Sequence, residues 1–194
     1  KHKGKGDIVF LIDATGSMEP GINDIKNNLK VFFDVLDKRV EHWRAKVVGF
    51  RDFVFPEVEP LVDNDFTEDL SVLKKQLDSL KAEGGGDEPE SLLDAIYHVA
   101  TMEQTDKGAT EFDPKKWRYR SDAARVVIIL TDASFHDPME EPKGGTVDDV
   151  RNACHSNRII LYGFVPEMDC YYNLCEIDKS DLYLIPSPRG RGVL

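Results

Sequence analysis

Long apolar runs are missing from this sequence. No stretch approaches the ~20 apolar residues of a membrane-spanning helix, and the polar start from Lys1 to Gly6 lacks the apolar core of a secretory leader. Basic residues are also in short supply: 25 Lys and Arg stand against 36 Asp and Glu, a net charge of −11. So acidic a surface repels phosphate backbones and anionic headgroups, which argues against nucleic acid and membrane as partners. Cysteine is scarce. Cys154, Cys170 and Cys175 cannot all pair within the chain, and none sits in a C-x-x-C spacing. Reduced thiols in a cytoplasmic protein are the simpler reading of that odd count, with a Cys170–Cys175 disulfide beside a buried Cys154 as the alternative. What is present is ordinary: 194 residues at 41% hydrophobic content suit one soluble domain with a sizeable core.

The runs Ile8 to Ile12 and Val126 to Leu130 are continuously apolar, the pattern of strands covered on both faces. Ala45 to Phe50, Ile159 to Phe164 and Leu182 to Ile185 read as further strands. Between them Ile22, Ile25, Leu29, Phe32, Leu36 and Val40 recur at helical spacing, as do Leu70, Leu73, Leu77 and Leu80, each set laying an apolar stripe on a sheet. This alternation predicts an α/β fold with a doubly wound, mostly parallel sheet and helices on both faces. Glu57 to Val62 alternates and carries Pro56 and Pro60 at its start and within it, which suits one antiparallel edge strand beside the strand ending near Phe50. Lys107 to Asp122 reads as a long surface loop anchored by Trp117. Residues 1–6 are expected to form a flexible tail, residues 7–185 the domain, and residues 186–194 a second tail unable to form a helix.

Two of the buried strands end in an aspartate. Ile12 leads into Asp13-Ala14-Thr15-Gly16-Ser17-Met18, and Leu130 leads into Thr131-Asp132-Ala133-Ser134. Ligands of open α/β sheets bind outside the carboxyl ends of the strands, so both aspartates belong to one rim. Asp13, Thr15 and Ser17 alternate along a loop, and a turn at Gly16 would point a carboxylate and two hydroxyls at a common centre. An oxygen-only site that keeps some waters suits a hard cation such as Mg²⁺. Another loop, Gly84-Gly85-Gly86-Asp87-Glu88-Pro89-Glu90, precedes a helix striped by Leu92, Leu93, Ile96 and Val99. Its glycines would let backbone approach the rim, and Asp87 would add a second negative ligand. Asp87 and Glu90 equally fit a D-x-x-E capping box, which needs no metal.

Together these three loops resemble the metal-ion-dependent adhesion site of von Willebrand factor A domains, over Asp7 to about Ile185. The resemblance implies that Thr15 and Ser17 bind a cation (Mg²⁺, Mn²⁺ or Ca²⁺) directly, Asp13 directly or through water, and Asp132 through water. It also implies that an acidic side chain of a protein partner completes the shell. DATGSM, Arg51-Asp52 and GGGDEPE further resemble the hemicentin-like and α-kinase-associated subgroup. Two departures stand out: the family commonly has threonine where this chain has Asp87, and it closes with a helix after the last strand. The absence of that helix suggests that the sequence is truncated.

Other chemistries fit less well. Ser17 lacks the G-x-S-x-G elbow of hydrolases, and His136, the nearest base, has only Asp137 beside it as an orienting group. His2, His42, His98 and His155 lack paired zinc-ligand spacing. A Mg²⁺-dependent hydrolase or phosphotransferase would need a second metal, a catalytic Lys, a D-x-D pair or a phosphate loop, none of which is evident. A scaffold that ignores metal would be free to lose Asp13, Thr15, Ser17 and Asp132. Arg51 and Asp52 read as a structural pair behind the rim or as a partner contact. The expected function is cation-dependent protein binding without catalysis.

Overall fold

The computed structural model describes residues 2–55, 57–85 and 88–186, with side chains from residue 4 onward. Six strands form one sheet: β1 (His2–Asp13), β2 (Val40–Phe50), β3 (Leu61–Asp63), β4 (Ala124–Leu130), β5 (Ile159–Pro166) and β6 (Asp181–Ile185). Their order across the sheet is β3-β2-β1-β4-β5-β6. All neighbours are parallel except β2 and β3, where Phe50 lies opposite Leu61. The doubly wound α/β sheet with one antiparallel edge is thus the fold of this chain. From β1 the chain builds outward to β2 and β3, then returns to β1's other side for β4 to β6. The order therefore reverses between β1 and β4, and the crevice at the carboxyl ends of those two strands is where such sheets bind ligands.

The continuous apolar runs are explained by burial on both faces. Ile8, Phe10 and Ile12 point to one face, under α1 (Ile22–Arg39) and α2 (Leu70–Ser79). Val9 and Leu11 point to the other, under α3 (Leu92–Ala100), α4 (Val147–Asn157) and the short α5 (Tyr172–Cys175). Coverage is unequal. The first face of β5 and β6 leaves Tyr162, Phe164 and Tyr183 exposed, whereas their second face is packed. Trp117 anchors the 101–123 connection as expected: it is fully buried, and its indole N–H donates to the Val99 carbonyl at 2.8 Å.

Three boundaries differ from expectation. The sheet begins at His2 and not at Asp7, because β1 continues its backbone pairing with β2 below the helical layer, as at Lys5 opposite His42 and Gly6 opposite Trp43. The edge strand shrinks to Leu61–Asp63, while the Glu59 carbonyl is instead held by the Arg51 guanidinium at 3.0 Å. Helix α4 carries only Val150 and Cys154 as buried residues, too thin a stripe to stand out in sequence, but a Thr146/Asp149 capping box starts it. Pro186 is the last described residue of the expected second tail, and residues 187–194 lie outside the described ones.

Candidate functional site

Three loops meet at the crevice. The first leaves β1 at Asp13, crosses Ala14 and Thr15, and turns through a single 3₁₀ turn, Gly16–Met18. The second approaches it closely: Gly16 N–H donates to the Gly84 carbonyl at 2.8 Å and Glu83 N–H to the Ala14 carbonyl at 2.9 Å. Gly84 and Gly85 have φ of +69° and +73°, and a Cβ on Gly85 would stand 3.0 Å from the Thr15 side chain. Glycine is needed there for both conformation and space. The third loop leaves β4 at Thr131.

Asp13 is completely buried. Its Oδ1 accepts from the Thr15 amide at 3.0 Å and the Thr15 hydroxyl at 2.6 Å, and its Oδ2 accepts from the Thr131 hydroxyl at 2.6 Å. The Thr15 and Ser17 hydroxyls lie 3.2 Å apart, and Ser17 donates to Asp132 Oδ1 at 3.3 Å. Asp13, Thr15, Ser17 and Asp132 are therefore brought together in one connected set. Among the described residues no ammonium or guanidinium reaches Asp13. Burial raises its pKa above the ordinary carboxylate value against the pull of these hydrogen bonds, and the charge of Asp132 adds to the rise.

Glu90 belongs to the same set. It is 4% exposed, it hydrogen-bonds toward Thr15, and its Oε2 is buried without a partner among the described residues. Burial, followed by the charges of Asp13 and Asp52, pushes its carboxyl up to about 8. The backbone fixes it from the third loop: Glu90 N–H donates to the Ser134 carbonyl and His136 N–H to the Glu90 carbonyl, both at 2.9 Å. The capping-box expectation is corrected here, since helix α3 starts at Leu92 with Ser91 as its N-cap and no side-chain cap bond. Asp87, the expected additional ligand, lies outside the described residues together with Gly86.

The supporting residues are also clear. Arg51 binds the Glu59 and Lys81 carbonyls at 3.0 Å each, and Asp52 accepts from Val54 N–H at 2.9 Å and the Ser91 hydroxyl at 3.1 Å. Both are buried and bind neighbouring loops. The nearest carboxylate to the His136 ring is Asp52 at 3.7 Å, beyond hydrogen-bond distance, and His136 Nε2 is buried without a hydrogen-bond partner among the described residues. The three cysteines are free thiols.

Among the described residues, no three His, Cys, Asp or Glu side chains are grouped to hold a metal ion. The converging donors are of another kind: two carboxylates and two hydroxyls, with Glu90 alongside. Oxygen donors of this mix suit a hard divalent cation. A fully buried carboxylate near a second buried carboxyl with an unpartnered oxygen is also an arrangement that positive charge would relieve. Asp13, Thr15, Ser17, Asp132 and Glu90 are the described residues that could hold such an ion. No helix among the described residues is long and apolar enough to cross a membrane.

Comparisons with known proteins agree with this fold. The chain is 26% identical over 169 residues to the alpha-protein kinase vwkA of Dictyostelium discoideum, covering 80% of this chain and 24% of that protein. It is 23% identical over 176 residues to integrin beta pat-3 of Caenorhabditis elegans, covering 78% of this chain and 20% of that protein. The chain thus spans a quarter or less of these curated relatives. Among solved structures, the SpRpn10 VWA domain superposes with a TM-score of 0.64 at 14% identity, covering 98% of this chain and 99% of that one. Proximal thread matrix protein 1 from the mussel byssus gives 0.63 at 16%, covering 95% and 42%. The model of the von Willebrand factor A domain matches residues 7–109, more than half of the sequence, and the chain belongs to that family, whose members generally mediate protein–protein interactions.

Proposed function

We propose that this domain holds a divalent cation, Mg²⁺ or in its place Mn²⁺ or Ca²⁺, at Asp13, Thr15, Ser17 and Asp132, and engages an acidic side chain of another protein there without catalysing a reaction. The observation that carries the reading is Asp13: fully buried, bonded only to neutral donors, and ringed by hydroxyl oxygens. Bound there, the cation would offer an electrophilic position to a partner carboxylate. Asp13 and Glu90 supply the charge, Thr15 and Ser17 supply neutral oxygen, and Asp132 receives the Ser17 hydroxyl at the exposed rim. Asp87 is proposed as an additional acidic ligand from the second loop. The DATGSM, Arg51-Asp52 and GGGDEPE motifs, with an alpha-protein kinase among the relatives, support the hemicentin-like and α-kinase-associated subgroup. Nucleic acid and membrane are not proposed as partners of so acidic a chain.

The hydrolase reading is disfavoured because Ser17 Oγ is bonded to Thr15 and Asp132 and not to an imidazole. Two measurements test the proposal. Mn²⁺ titrated into the domain should raise water-proton relaxation, and acetate, standing in for a partner carboxylate, should lower it again by displacing bound water. Relaxation indifferent to acetate would contradict the adhesive role. A screen of phosphoester, peptide and nucleotide substrates with Mg²⁺ should show no turnover, and turnover lost in Asp13→Ala would establish an enzyme instead.

A further inference from the structure

Beneath the third loop lies a side chain that the site so far does not use. Tyr171 ends the 3₁₀ turn Asp169–Tyr171, between β5 and α5. It is completely buried, and its ring meets Phe135 edge-on with centroids 5.2 Å apart. Its hydroxyl donates to the Ala133 carbonyl at 2.5 Å and lies within reach of the Thr131 side chain. Burial raises the phenol's pKa, so it stays a donor at any physiological pH.

The bonds continue upward. Ala133 N–H donates to the Thr131 hydroxyl at 3.2 Å, which fills a lone pair and leaves the Thr131 proton for Asp13 Oδ2 at 2.6 Å. Asp132 sits between these two pinned residues. The same loop carries Ser134 and His136, whose backbone groups hold Glu90, and the Phe135 N–H turns to the sulfur of Cys170, next to Tyr171. One turn, through its buried Tyr171 and the neighbouring Cys170, thus supports the third loop along its length. A phenylalanine would fill the same space, so packing alone does not require the hydroxyl.

We infer that Tyr171 is a positioning residue of the cation site: its hydroxyl fixes the Ala133 peptide, and through it the aim of Thr131 on Asp13 and the placement of Asp132. The inference rests on the cation-binding reading above. Two readouts on the full chain test it, using Mn²⁺ alone as the probe. Tyr171→Phe should bind Mn²⁺ about tenfold more weakly, the effect of one hydrogen bond that sets the geometry. In metal-free protein its Ala133 amide should exchange with solvent faster than in wild type, with Ile129 in the strand below unchanged. Phe135→Leu is the control for packing, because it loosens the same contact and keeps the hydroxyl. It should lower thermal stability without matching the loss of affinity. A Thr131→Val cycle adds the link, with the double variant losing less affinity than the two single losses combined. Unchanged Mn²⁺ affinity in Tyr171→Phe while wild type binds would overturn the positioning role and leave the cation reading standing. Wild type that binds no Mn²⁺ would remove both.

Discussion

Strand β1 carries a fully buried aspartate at each end of its apolar run, and the two are treated in opposite ways. Asp7 accepts four bonds from two arginines: Arg44 Nε at 3.1 Å and Nη2 at 2.8 Å, and Arg118 N and Nε at 2.7 Å each. Asp13 accepts only from an amide and two hydroxyls. Residue type, strand and burial are the same, so the difference lies in what the chain supplies. At the amino end the protein provides its own cations and the result is a staple tying β1, β2 and the 101–123 connection together. At the carboxyl end no described side chain provides one, and under the proposed function the positive charge comes from a bound cation. A buried carboxylate without a cation costs stability, which is the expected signature of a site kept for a ligand.

The comparison is broken most forcefully at Asp7. Asp7→Asn would strand two buried guanidiniums and should cost about 3–5 kcal/mol. Asp13→Asn, assayed in chelator, should cost less than about 1 kcal/mol or stabilise, because the amide oxygen can keep both Thr15 donors while its NH2 donates to the Thr131 hydroxyl oxygen, and the charge is gone. Urea unfolding of the two variants side by side checks both. Equal losses would erase the distinction.

Glu90→Gln comes next in size. It removes the carboxyl with the unpartnered oxygen and should weaken Mg²⁺ binding by about one order of magnitude, the scale of a single charged partner, while metal-free stability rises. Calorimetric titration and thermal unfolding read the two effects.

A pH series sharpens the same point. In metal-free protein Glu90 titrates at about 8 against an ordinary 4.5, through burial first and then the charges of Asp13 and Asp52. The folded chain keeps a proton that the unfolded chain has released, so stability falls as pH rises from about 4.5 to about 8. Saturating Mg²⁺ should flatten that slope. A slope that survives metal would place the proton elsewhere.

The smallest effect is expected at Asp87. If it is a ligand, Asp87→Thr lowers metal affinity but strengthens metal-dependent capture of acetate, since the ion keeps more of its charge for the partner. Isothermal titration of Mg²⁺ and then acetate reads both. Unchanged values would remove Asp87 from the site.

Much of this was legible in the sequence, for identifiable reasons. The runs Ile8 to Ile12 and Val126 to Leu130 declare burial on both faces, and that alone places Asp13 and Asp132 at one rim. The alternation of Asp13, Thr15 and Ser17 declares a shared centre. Glu90 was hidden because D-x-x-E before an apolar helix is also the pattern of a cap, and only the helix start at Leu92 separates the two. Its clue is that α3 is buried from its first residue, which leaves no exposed end for a carboxylate to cap. The staple at Asp7 was hidden because Arg44 and Arg118 are 37 and 111 residues away along the chain. Tyr171 escaped for the same reason: it touches Ala133 across 38 residues, through a backbone carbonyl that leaves no mark in a sequence. The edge strand was misjudged because alternation at Glu57 to Val62 also fits a loop whose carbonyls an arginine holds.

The claim that the uncompensated end of β1 is a cation site is tested most directly by calorimetric titration of Mg²⁺ and Mn²⁺ into wild type and Asp13→Ala. Saturable binding at one site in wild type, weakened at least about 100-fold in the variant, is the predicted result, as expected when a charged ligand is lost. Equal affinity in the two proteins, or no binding in either, would contradict it.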